Sequence, residues 1–144
     1  MRTAVDSSVL VAALLTWHER HAAARDVVER LLAAPEDIVL AADVLLETYS
    51  VLTRLPAPHR LAPADAEGLL RENFRRCRTE SLSGGQSWAL LRSLPERGIA
   101  GGTVYDARIV AAALKGGAAR ILTFNVRHFE RLVPEGLEVV VPGA

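Results

Sequence analysis

An α/β fold with a parallel-rich sheet covered on both faces is what this sequence predicts, and three observations lead there. Short apolar runs at residues 3–5, 38–41, 120–124 and 138–141 alternate with longer stretches of helical periodicity. Those runs lack the polar alternation of a half-exposed strand, so they read as strands buried on both sides. A composition of 50% hydrophobic and 24% charged residues in 144 supplies one real core and argues against disorder. A single domain over residues 1–144 is therefore expected, with no internal repeat or interdomain linker.

The first strand ends at Asp6, and Ser7-Ser8 lead into a helix over 9–15. An acid there sits at the carboxyl end of a strand, the edge where open parallel sheets bind ligands. A second helix is predicted over 17–34, with Val27, Val28, Leu31 and Leu32 on its apolar side, and Pro35 ends it. The strand at 38–41 follows. A third helix runs from Asp43 to about Leu55, where Pro56 and Pro58 stop it. Its polar face holds Asp43, Glu47, Ser50 and Arg54, so Glu47 has an ordinary reading as part of a solvated surface.

Pro63 opens a helix reaching Arg76. Arg71, Arg75, Arg76 and Arg78 at its end are spaced to touch phosphates, although Glu67 and Glu72 are ready-made surface partners. Residues 79–82 form a short strand candidate, and a helix over 86–97 is closed by Gly98. After Gly101-Gly102, Thr103 to Leu114 is a strongly apolar helix in which Thr103 and Asp106 match a capping box. Lys115, the only lysine, reads as a helix-terminal cation. The strand at 120–124 is followed by Asn125, itself a good N-cap, and a helix over 126–132; the last strand covers 138–141.

Several classes of function drop out. The formal net charge is zero, so any polyanion must be met by a local patch rather than a global field. One cysteine, Cys77, permits no intramolecular disulfide and no CxxC site, and reads as a small buried hydrophobe in a reducing compartment. The apolar run 9–15 is short and is interrupted upstream by Asp6-Ser7-Ser8, so no targeting segment is expected, and no run is long enough to span a membrane. His18, His21, His59 and His128 form no zinc pattern, and neither glycine pair has a nucleotide-binding spacing.

Asp6, Glu47 and Asp106 come from three distant segments. If the fold gathers them, like charges about 4 Å apart repel by roughly 4 kcal/mol at an effective dielectric near 20. A hard divalent cation, Mg²⁺ or Mn²⁺, removes that cost, bridges to phosphate oxygens and acidifies a bound water for phosphodiester hydrolysis.

The segments Val5-Asp6-Ser7-Ser8-Val9-Leu10, Leu46-Glu47-Thr48-Tyr49-Ser50-Val51-Leu52-Thr53-Arg54-Leu55, Tyr105-Asp106-Ala107-Arg108-Ile109-Val110-Ala111-Ala112-Ala113 and Ile121-Leu122-Thr123-Phe124-Asn125 together resemble the ordered motifs of PIN domains, and most of all the VapC-type toxins of bacterial toxin–antitoxin pairs. The resemblance spans almost the whole chain. It implies a parallel five-stranded sheet between helices in three α/β/α layers. It implies Asp6, Glu47 and Asp106 as catalytic metal ligands, a Mg²⁺- or Mn²⁺-dependent endoribonuclease, a homodimer in the cytoplasm, and neutralisation by a cognate antitoxin. Many members carry a fourth acid where this chain has Asn125, whose amide oxygen can bind metal or water without adding charge. One firmly held ion is the corresponding expectation.

Around that set, Thr103 and Thr123 are candidates to orient a water or substrate, and Arg108, Arg127 and His128 to touch RNA; capping and surface ion pairs are their ordinary alternatives. Leu14, Leu15, Trp17, Leu45 and Leu52 offer either a groove for an antitoxin helix or simple core packing. Two other functions compete. A PIN-like RNA- or protein-binding module with weak catalysis is motivated by Asn125. An aspartyl phosphatase or phosphoacceptor is disfavoured by Ser8, which stands where a second carboxylate is expected, and by the lack of a strand-end lysine.

Overall fold

A computed structural model describes residues 1–144. It contains five strands, β1 (Arg2–Val5), β2 (Ile38–Ala41), β3 (Arg78–Glu80), β4 (Ala118–Leu122) and β5 (Glu138–Val140). All neighbours pair in parallel, in the order β3-β2-β1-β4-β5. Seven helices connect them: α1 (Ser7–Leu14), α2 (His21–Leu31), α3 (Ala42–Arg54), α4 (Pro63–Phe74), α5 (Gly84–Ser93), α6 (Thr103–Lys115) and α7 (Val126–Phe129). Every residue of β2 is buried, which requires cover on both faces and matches its unbroken apolar sequence.

The strand order fixes where the chain reverses. From β1 it steps outward through β2 to β3, then returns to place β4 on the other side of β1. The carboxyl ends of β1 and β4 therefore flank the switch point, and Val5 stands in register with Leu122 there. Leu10, Ile38, Leu40, Ile121, Leu122 and Phe129 are among the fully buried side chains beneath that edge. Their burial holds the edge rigid.

The elements match the expectation in kind and differ at their ends. α2 begins at His21 rather than residue 17, because Trp17 to Arg20 form a turn in which Trp17 stacks on His59 with ring centroids 4.3 Å apart. α1 begins at Ser7, two residues earlier than expected, with Asp6 as its N-cap. α5 occupies Gly84–Ser93, not 86–97: Ser83 caps it, its Oγ accepting from the Gln86 N–H while Gln86 Oε1 accepts from the Ser83 N–H. β4 covers Ala118–Leu122, so Thr123 and Phe124 lie beyond the strand, and α7 stops at Phe129 instead of Leu132.

Of the residues offered for a partner groove, Leu15 and Leu52 are buried and Leu14 and Leu45 pack against the core; only Trp17 is exposed. Cys77 is buried, and burial pushes its thiol up to about 11, as befits an unreactive core residue. No helix is long and apolar enough to cross a membrane.

Candidate metal and phosphodiester site

Asp6 follows β1 directly, and its backbone N–H donates to Leu122 O at 2.9 Å, tying it to β4. Although it occupies the N-cap of α1, its carboxylate makes no capping bond. Instead the Ser8 hydroxyl donates to Oδ2 at 2.9 Å and the Thr123 hydroxyl donates to the same oxygen at 2.8 Å. Both hydroxyls are themselves fixed: Ser8 Oγ accepts from the Phe124 N–H at 3.1 Å, and Thr123 Oγ1 accepts from the Asn125 N–H at 2.9 Å. Asp6 is 3% exposed, so this closed network orients a nearly buried carboxylate by one oxygen and leaves Oδ1 with only a long contact to Ser7, 3.5 Å.

Glu47 lies in the second turn of α3, the helix that leaves β2. The Ser7 hydroxyl donates to its Oε1 at 2.8 Å, joining it to the Asp6 segment. Asp106 sits in the first turn of α6, at the same sheet edge, because α6 runs back across the sheet to feed β4. The expected capping box is not formed: Gly102 is the N-cap and no side chain caps the helix. Asp106 is therefore free to face the cavity, and Thr103 Oγ1 accepts from Arg131 at 3.2 Å. Asn125 likewise precedes α7 without a side-chain cap bond.

One cavity of about 450 Å³ gathers these groups, with Asp6, Glu47, Asp106 and Asn125 in its lining and Thr103, Arg127, His128 and Arg131 at its walls. Burial holds the Asp106 carboxyl above the usual range; Asp6 and Glu47 push it further up, while His128, whose Nδ1 is 3.8 Å from Asp106 Oδ2, pulls the other way. Asp106 thus feels the charges of the other two acids in the cavity. Their oxygens and the Asn125 amide make an all-oxygen donor set, the chemistry of a hard cation rather than of zinc. No three Asp, Glu, His or Cys side chains are close enough as placed to hold a metal ion together, so the acids share one cavity without converging on a single point.

Two predicted site residues do not line the cavity. Arg108 forms an ion pair with Asp43 of α3 and its guanidinium carbon lies 5.2 Å from the Tyr105 ring centroid, so its charge is engaged just outside the cavity. Thr123 is fully buried behind Asp6, where it orients the carboxylate and has no access to substrate. Lys115 is at the far end of α6, donating to Ser81 O and Gln86 Oε1, each at 2.8 Å, which leaves no lysine beside Asp6 for phosphoacceptor chemistry.

Ser7, Ser8 and Arg131 were not named as site residues from sequence. The two serines had a legible signal, since hydroxyls one and two residues after a strand-end acid at a helix start are within reach of that acid. Arg131 had none, because only the turn after α7 brings it to Thr103.

Known proteins resemble the chain in sequence and in fold. Ribonuclease VapC40 of Mycobacterium tuberculosis is 39% identical over 131 residues, covering 88% of this chain and 89% of that protein. Ribonuclease VapC27 of the same organism is 41% identical over 140 residues, covering 96% and 95%. Among solved structures, the sarcin-ricin loop cleaving toxin VapC20 of M. tuberculosis matches with TM-score 0.55 and 25% identity over 83% of this chain and 86% of that one. VapBC2 from Rickettsia felis, bound to a promoter DNA fragment, matches in fold with TM-score 0.67 and 18% identity over 98% of both chains. With the PIN domain family model matching residues 3–133, over the same segments that carry Asp6, Glu47, Asp106 and Asn125, the chain belongs to the PIN domain family.

Proposed function

We propose that this chain is a divalent-metal-dependent endoribonuclease of the toxin type, acting as one domain over residues 1–144. Its carrying observation is the convergence of Asp6, Glu47 and Asp106, distant in sequence, on one cavity whose walls bear guanidinium groups. Likeness to the VapC ribonucleases supplies the substrate class, RNA, and the expectation of a cognate antitoxin, a homodimer and a cytoplasmic setting.

Asp6, Glu47 and Asp106 would hold Mg²⁺ or Mn²⁺, and Asn125 would add a neutral oxygen. The chemistry such a cation supplies when bound is polarisation of a phosphoryl oxygen and acidification of water. The chain's own residues do the rest. Ser8 and Thr123 keep Asp6 Oδ2 occupied, so that Oδ1 faces the donor set in one orientation. Ser7 ties Glu47 to the same frame. Arg127, outside any ion pair, and Arg131 offer positive charge to the flanking phosphates, and His128 stands beside Asp106 at the rim.

The test is cleavage of total RNA by the antitoxin-free protein in Mg²⁺, Mn²⁺ or EDTA, beside Asp6→Ala. Discrete metal-dependent fragments, absent from the variant, are expected. Cleavage that persists in Asp6→Ala or in Asp106→Asn would overturn the assignment. RNA binding without turnover at any metal concentration would favour a binding module, the outcome that the uncharged Asn125 makes worth watching for.

A further inference from the structure

The acidic cavity does not end at Glu47 and Asn125. A second cleft of about 390 Å³ shares both residues and continues over Ser7 and Ser8 to the turn between α1 and α2, where His18, Arg20 and Phe124 line it. The Arg20 guanidinium carbon lies over the Phe124 ring, 4.6 Å from its centroid. No carboxylate pairs with Arg20, although Glu19 also borders the cleft. The Arg20 backbone N–H donates to His18 Nδ1 at 3.0 Å, which leaves His18 Nε2 as the ring's N–H donor toward the cleft.

We propose that this cleft is a stacking subsite for one nucleotide of single-stranded RNA beside the cleaved phosphate. This rests on the ribonuclease reading above. A planar guanidinium backed by an aromatic ring is a platform on which any base can stack, and its charge meets the neighbouring phosphate. The guanidinium already lies over the Phe124 ring, so the platform is formed before RNA arrives. Arg127 and Arg131 stand in the first cavity and Arg20 in the second, with Glu47 and Asn125 between them. A strand laid along this path passes its phosphates over cation, donor set and cation in turn. Single-stranded RNA fits because the base must leave its own stack to reach Arg20.

Binding of a short, fluorescein-labelled, random-sequence single-stranded RNA is measured by anisotropy in an Asp106→Asn background with Mg²⁺, which prevents cleavage. Added Arg20→Ala is expected to weaken binding roughly tenfold, as loss of one stacked base does. Phe124→Leu, which keeps apolar volume but removes the ring, should do much the same, and Arg20→Lys should recover only part of the loss. Against an abasic oligonucleotide of equal length, the Arg20→Ala change should matter far less. Mn²⁺ affinity, measured in the otherwise unsubstituted protein, should stay unchanged in all three variants and Tm in the two Arg20 variants, while Phe124→Leu, which removes a ring packed against the core, should lower Tm yet remain folded at the assay temperature.

Unaltered RNA binding in Arg20→Ala and Phe124→Leu, while the parent protein still cuts total RNA with metal, would overturn the subsite and leave the ribonuclease standing. A loss equal for normal and abasic RNA would reduce Arg20 to a plain phosphate contact and overturn the stacking role. A parent protein that neither binds this RNA nor cuts total RNA would overturn both.

Discussion

Ionising Asp106 is unfavourable, first because the carboxyl is partly buried and then because Asp6 and Glu47 lie near it, and the sign of that effect sets a pH dependence. Its folded-state pKa lies above the unfolded value, so the native state holds the proton more tightly. The penalty is therefore fully present above the raised pKa and fades as pH falls through it toward the unfolded value. In metal-free protein, Asp106→Asn should raise Tm at neutral pH, and the gain should shrink as the medium is acidified through that window; thermal scans of the pair check it. Thr123→Val should cost about 1–3 kcal/mol in urea unfolding, because the Asn125 N–H loses its acceptor and Asp6 a buried donor. The same change should weaken Mn²⁺ binding about 10- to 100-fold, the range for groups that orient a metal ligand. At this scale Asp6 and Asp106 were legible as strand-end and helix-start residues and Glu47 only through the family resemblance, whereas Thr123, 117 residues from Asp6, depended on a contact that no local pattern encodes.

At the scale of elements, the site depends on how α3 and α6 are held against the sheet, since one brings Glu47 and the other Asp106. Asp43, one turn before Glu47, pairs with Arg108, two residues after Asp106. This pair ties the two helices together near the cavity. Both side chains keep some exposure, so Arg108→Ala should cost only about 1 kcal/mol of stability. The informative result is a double-mutant cycle with Asp43→Ala, which should recover the coupling in Mn²⁺ affinity as well as in unfolding. At the other end of α6, Gly116 is pressed against β2: a Cβ there would lie 2.5 Å from Val39 Cγ1 and 3.1 Å from Glu80 Cγ. Gly116→Ala should destabilise by about 1–3 kcal/mol in urea unfolding, since fully buried, β-branched Val39 has little room to yield. Strands and helices were legible here from apolar runs and prolines. Their ends were not, because Trp17 stacking on His59 and Ser83 capping α5 decide where helical geometry begins.

For the molecule as a whole, a formal net charge of zero conceals a division of labour: three carboxylates at the centre of the switch-point edge, and Arg20, Arg127 and Arg131 around them. If these three arginines contact phosphates, the logarithm of RNA affinity should fall against that of salt concentration with a slope of about −2, from roughly −0.7 per contact on a single strand. A salt titration of binding measures it, and a slope near zero would count against the path. The topology was legible because strands without polar alternation, joined through helices, leave a parallel sheet as the economical solution. What could not be read was that the second cleft continues the first, since it depends on the α1–α2 turn. The placement of β1 has one more consequence. Its partner β4 begins at Ala118, and Thr123 and Asn125 follow it, so a nascent chain released from the ribosome only as far as α6 holds Asp6, Glu47 and Asp106 without the strand that aligns them. Long-range parallel pairing of this kind closes late. Alignment of the three acids should therefore wait on β4, and a chain extended only through α6 should bind Mn²⁺ no better than its isolated carboxylates would.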